Sequence, residues 1–209
     1  MKKTTAWYYL LLFLLGAACF FIAQPLIRIP ILSLLQSNAD FLLFYSFHPL
    51  LTGVLIALSA GVAEESFRFL FKLFLIRPPK SSLSQPIVFG LGHGIMEACY
   101  LLIPALIAGY SFSQLGTAFY ERAVAITLHV ILTIIVWNGF QKNQKWRYLL
   151  FAVLVHGAVD ASIVFFQLFN CSVFTIEAAF TGMVLLLLIY AIYSRKYYLT
   201  KEGIDDEKI

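Results

Sequence analysis

The sequence predicts an all-α fold: a single transmembrane domain over residues 1–209, a bundle of about six crossings with both termini on the cytoplasmic side. Three observations predict it. Hydrophobic residues make up 61% of the chain and charged residues 12%, roughly half the charge of a soluble domain. Apolar stretches of spanning length recur from end to end. Basic residues gather at alternate ends of those stretches, as the positive-inside rule requires.

The same composition excludes other classes. Cys19, Cys99 and Cys171 are widely spaced, giving neither a disulfide framework nor a cysteine metal motif. The net charge of +4 comes mostly from residues flanking apolar segments, so it reports topology rather than nucleic-acid binding. The expected surroundings are membrane lipid, in a multi-pass protein of a bacterial plasma membrane.

The first span is expected at about 5–27, ended by Pro25 and Pro30, with the patch Ile31 to Leu35 along the interface. Lys2 and Lys3 before an apolar run resemble a signal peptide. The run continues to Leu26, however, and about 20 apolar residues suffice to cross a bilayer. Gly16 stands where a lipoprotein signal has leucine, so an uncleaved helix is expected. The second segment, about 41–76, would be about 54 Å long as one helix, too long for a straight crossing. It is expected to be tilted, broken near Gly53 or Gly61, or extended past the membrane. The remaining spans are expected at about 86–109, 117–140, 147–169 and 173–194, followed by a polar cytoplasmic tail over 195–209. Lys72, Arg77, Lys80, Lys142, Lys145, Arg147, Arg195, Lys196 and Lys201 then fall on the side of Lys2 and Lys3, which gives the N-in, C-in orientation.

Polar residues within the spans carry the functional reading. A charge at a helix centre costs about 2.5–3.5 kcal/mol on insertion scales, so Glu64, Glu65 and Arg68 in one apolar run need partners or a wet cavity. Their spacing puts Arg68 on the same helical face as both carboxylates. On the third span, His93 and Glu97 are four apart, and Gly90, Gly92 and Gly94 let another backbone approach closely. The fourth span carries Glu121, Arg122 and His129, and the fifth carries His156 and Asp160, again four apart. Counted from the cytoplasmic helix ends, Glu64, His93, Glu97, His129 and His156 share a slab roughly 10–18 Å deep. Independent structural histidines have little reason to share a depth, so one site is expected. Glu121 and Arg122 fall nearer the outer face and read as a separate structural pair. Peptide hydrolysis needs a base for water, an acid for the leaving amine and donors for the oxyanion, and these residue types supply all three.

Three short motifs resemble a known family. Glu64-Glu65-Ser66-Phe67-Arg68 is one residue shorter than Glu-Glu-x-x-x-Arg. Phe89 and His93 match Phe-x-x-x-His. His156 and Asp160 match His-x-x-x-Asn with Asp for Asn. In this order they resemble the YhfC intramembrane proteases and the wider group of CAAX prenyl endopeptidases and bacteriocin-immunity (CPBP, or Abi) proteins. The resemblance spans about residues 40 to 170. It implies a glutamic-type intramembrane endopeptidase with no metal or other cofactor, acting on a membrane-associated or transmembrane peptide. Glu64 and His93 would bind and activate water, and His156 and Asp160 would stabilise the oxyanion. Glu65, Arg68, Glu97 and His129 would support them. Three other readings stay open: a zinc protease with His93, His129 and His156 as ligands, a proton-coupled transporter, and an inactive immunity or scaffold protein.

Overall fold

The computed structural model describes residues 2–76 and 80–198, and those residues are helical throughout apart from short connections. Arg77, Lys201 and most of the expected tail, from residue 199 onward, lie outside the described residues. Six helical segments are long and apolar enough to cross a membrane.

Helix α1 (Lys2–Phe21) does not stop at Pro25. It passes through a π-helical turn, Ile22–Arg28, into α2 (Ile29–Gln36), so that one apolar segment covers Ala6–Gln36. Proline has no N–H to donate and its ring crowds the preceding turn. The wider turn absorbs both effects, and the Ile29 N–H bonds to the carbonyl of Gln24, five residues back. Pro30 follows at the start of α2, where the π-helical turn passes into α-helix.

The long second segment breaks at His48–Pro49 rather than at Gly53 or Gly61. Helix α3 (Ala39–Phe47) starts with the Asn38 side chain accepting from the Phe41 N–H at 3.0 Å. His48 leaves the helical region (φ −131°, ψ 57°), as a residue before proline tends to. Pro49 then opens α4 (Pro49–Leu70), which runs on through a second π-helical turn, Phe71–Leu75. Gly53 and Gly61 lie inside α4 on its buried face.

The other spans fall close to expectation: α5 (Ser84–Ile107), α6 (Gly116–Gln141), α7 (Lys145–Leu168) and α8 (Val173–Ser194). Helix α6 is the central pillar. It buries Leu128, Ile131, Leu132, Ile135, Val136, Trp137 and Phe140 against its neighbours, whereas α8 is peripheral and turns most of its side chains outward. The main pairs are α1 on α5, α4 on α7, and α5 and α7 on α6.

Glycine sets the α1–α5 spacing. A Cβ on Gly16 would stand 2.0 Å from the Phe89 carbonyl oxygen, and one on Gly92 would stand 2.0 Å from that of Phe13. The two backbones touch, which brings the π-helical turn of α1–α2 level with the polar residues of α4 and α5.

Candidate active site

Glu64, Glu65 and Arg68 lie on the buried face of α4, with side chains almost wholly removed from solvent. Arg68 serves both carboxylates: Nη1 bonds Glu65 Oε1, and Nη2 lies 3.3 Å from Glu64 Oε2. Nη2 also donates to Nδ1 of His129 on α6, at 2.7 Å. His93 on α5 is fully buried, and its Nε2 lies 2.8 Å from Glu64 Oε2. The glycines flanking it do what their spacing predicts. Gly92 faces α1, while Gly90 and Gly94 face the α6 backbone at Val130 and Ile126.

His129 is oriented from its far side. Its Nε2 pairs with Glu97 Oε2, which leaves Nδ1 as the acceptor for Arg68, and Nδ1 also stands 3.7 Å from Glu64 Oε2. Glu97 is held in turn by Arg122, whose Nη1 donates to Oε1 at 2.6 Å, and Arg122 also bonds Glu121. Arg122 is therefore tied to the centre through Glu97 and His129. The Glu121–Arg122 pair is not separate, as had been expected from its depth.

His156 on α7 completes the constellation. Its Nδ1 lies 2.8 Å from Glu65 Oε1, and its Nε2 is 3.6 Å from Asp160 Oδ2. Asp160 is the outlet: its side chain is 33% exposed and lines a cavity of about 340 Å³ with Tyr45, Pro49, Gly53 and Gln167. The rings of His93 and His129 stand 4.9 Å apart, centroid to centroid, and those of His129 and His156 5.8 Å. All eight residues singled out from the sequence thus meet in one connected network.

Besides Glu121 and Arg122, two further members of that network were not singled out as site residues. Gln24, in the π-helical turn, donates from Nε2 to Glu64 Oε1 at 2.6 Å. Arg28 bonds Gln24 and reaches α4. A neutral amide near a helix end carries no sequence signal of a site, and Arg28 reads as an interfacial charge.

The donor chemistry fits a metal ion. Glu64, His93 and His129 each offer one ligand atom, and those atoms lie within 4.8 Å of one another among buried residues. A histidine whose second nitrogen is held by a carboxylate is the usual arrangement behind a metal ligand, and the His129–Glu97 pair has that form. A cationic group already uses the same acceptors, since Arg68 Nη2 lies against both Glu64 and His129. The lone pair of His129 Nδ1 serves one partner at a time, so ligation there would leave Arg68 to Glu65.

The model of the YhfC intramembrane metalloprotease family matches residues 1–117 and 102–181. The chain belongs to that family. It is a multi-pass membrane protein and an intramembrane protease. Comparison with curated proteins and with solved structures returned no match. Membership in the YhfC family corrects the expectation of a cofactor-free enzyme. The family is one of metalloproteases, and the Glu64–His93–His129 group could hold the metal. The absence of a His-Glu-x-x-His motif had left zinc as the alternative rather than the leading reading. The donors come instead from three helices, and Glu64 takes the place His156 held in the three-histidine alternative.

Proposed function

We propose that the chain is an intramembrane endopeptidase in which Glu64, His93 and His129 hold one divalent ion of the zinc type, while Glu65, His156 and Asp160 handle protons. The observation that carries this reading is the convergence of three buried donor atoms, from α4, α5 and α6, within 4.8 Å. Two histidines and a carboxylate suit a catalytic zinc, which keeps a fourth position open. When bound, such an ion would supply Lewis acidity at a water and at the scissile carbonyl.

The chain's own groups supply the rest. Glu65 Oε2 is buried and has no hydrogen-bond partner among the described residues, so it is the oxygen available to take a proton from the attacking water. Arg68 and His156 both bond the other oxygen, Oε1, and so fix the direction in which Oε2 points. Glu65 then returns that proton from Oε2 to the leaving nitrogen, while protonated His156, held by its Nδ1–H on Glu65 Oε1, donates from Nε2 toward the developing oxyanion. Asp160 orients that ring from 3.6 Å, too far for a hydrogen bond of its own. Exclusion of bulk water strengthens each of these interactions. The substrate class is a membrane-associated or transmembrane peptide, and the Asp160 cavity is a described space that reaches a site residue.

Metal analysis of the detergent-purified chain tests the reading. The wild type is expected to carry one zinc per chain and to cleave a membrane-anchored reporter peptide, and a strong chelator should remove both until zinc is restored. Glu64→Gln and His93→Ala should lose zinc and cleavage while keeping their helical content. Undiminished cleavage by a chain with no bound metal would overturn the proposal.

A further inference from the structure

The π-helical turn Ile22–Arg28 carries a relay that ends on Glu64. Arg28 is anchored to α4 by two bonds, Nη2 to the Ile56 carbonyl at 2.7 Å and Nε to Ser59 Oγ at 2.9 Å. Its Nη1 donates to Gln24 Oε1 at 3.0 Å. That donor decides which end of the amide faces Glu64. With the amide oxygen held by Arg28, the Nε2 amino group must point at the carboxylate, and it donates to Glu64 Oε1 at 2.6 Å. Glu64 Oε2 is left facing His93 Nε2 at 2.8 Å and His129 Nδ1 at 3.7 Å. Gln24 is itself buried, so water does not compete strongly for the bond.

Local unwinding into a π turn is a recurrent feature of functional sites. Here it places a neutral donor, rather than a second cation, on the outer oxygen of a buried carboxylate. A neutral donor fixes the carboxylate without cancelling its charge. We infer that Gln24, aligned by Arg28, is a positioning residue that commits Glu64 to offer a single oxygen, Oε2, to the metal, so that a coordination position remains open for water. The inference rests on the metal-site reading above and goes beyond it by naming what restrains the ligand.

The test uses the full chain in detergent. Zinc affinity is measured by competition with a chromogenic chelator, and the cobalt(II)-loaded protein is followed by its visible absorption. Gln24→Met, apolar and close to glutamine in shape, should weaken zinc about 10- to 100-fold, as loss of a partner behind a metal ligand does. It should also lower the cobalt band intensity, because a released carboxylate can ligate through both oxygens and raise the coordination number. Arg28→Met should shift both readings the same way but less. The double variant should match Gln24→Met alone, since Arg28 acts through the amide. Gln24→Leu repeats the test should Gln24→Met fail to fold. Wild-type zinc affinity and an unchanged cobalt spectrum in a folded Gln24 variant would overturn the inference, and so would additive effects of the two substitutions. A wild-type chain that binds neither ion would instead sink the metal reading itself, which keeps the two failures distinct.

Discussion

Gly92→Ala is the smallest change that probes the architecture of the site. The added methyl group would start 2.0 Å from the Phe13 carbonyl oxygen, whereas real Cβ contacts essentially never fall below 3.0 Å. The obstacle is the backbone of α1, not the flexible end of a side chain, so α1 and α5 must separate by about 1 Å at the crossing or tilt apart. Overpacking of this kind costs about 1–3 kcal/mol. At roughly 2–4 °C per kcal/mol for a chain of this size, the melting temperature should fall by about 2–12 °C. Gly182→Ala provides an internal control. Gly182 lies in α8 with nothing within 4 Å of where its Cβ would stand, so alanine should be neutral or stabilise by up to about 1 kcal/mol through helix propensity. Thermal unfolding in detergent, followed by circular dichroism, compares the two. Equal melting temperatures for Gly92→Ala and Gly182→Ala would refute the claim that glycine sets the α1–α5 contact.

Two further substitutions separate stability from site geometry. Arg68→Ala strands Glu65 and removes a donor from Glu64 and His129; breaking a buried pair on one side costs about 3–5 kcal/mol, so the variant should melt well below wild type, and unaltered stability would show that the guanidinium is dispensable. Glu97→Gln keeps the shape but takes the carboxylate from behind His129; zinc affinity should drop about 10- to 100-fold with little change in melting temperature, and equilibrium dialysis showing full affinity would remove Glu97 from the site.

Much of this arrangement was legible in the residues themselves. Apolar run length locates α5 to α8 almost to the turn, because hydrocarbon thickness fixes how long a crossing helix must be. Charges as costly as Glu64, Glu65 and Arg68 announce a site wherever they fall in a span, and the glycines around His93 correctly signal close helix contact. The break in the second segment was misplaced because Gly53 and Gly61 invite a kink. The constraint that acts is the proline at 49, which forces His48 out of the helix, while the glycines serve packing. Pro25 misleads in the opposite direction: a π turn accommodates it. Gln24 was invisible because its importance lies entirely in which carboxylate it meets across the bundle. Zinc ranked second, and with a different ligand set, for a related reason. Donors four apart on one helix form a motif, but donors on α4, α5 and α6 become a set only when three helices are packed together.

The bracing of α4 also bears on how the protein is made. Both Arg68 bonds to carboxylate run within α4, to Glu65 three residues back and Glu64 four residues back. A nascent chain leaving the ribosome therefore delivers this helix to the lipid with one acid already neutralised. Gln24, on a segment earlier in the chain, is already made when Glu64 emerges, whereas His93 on α5 follows it.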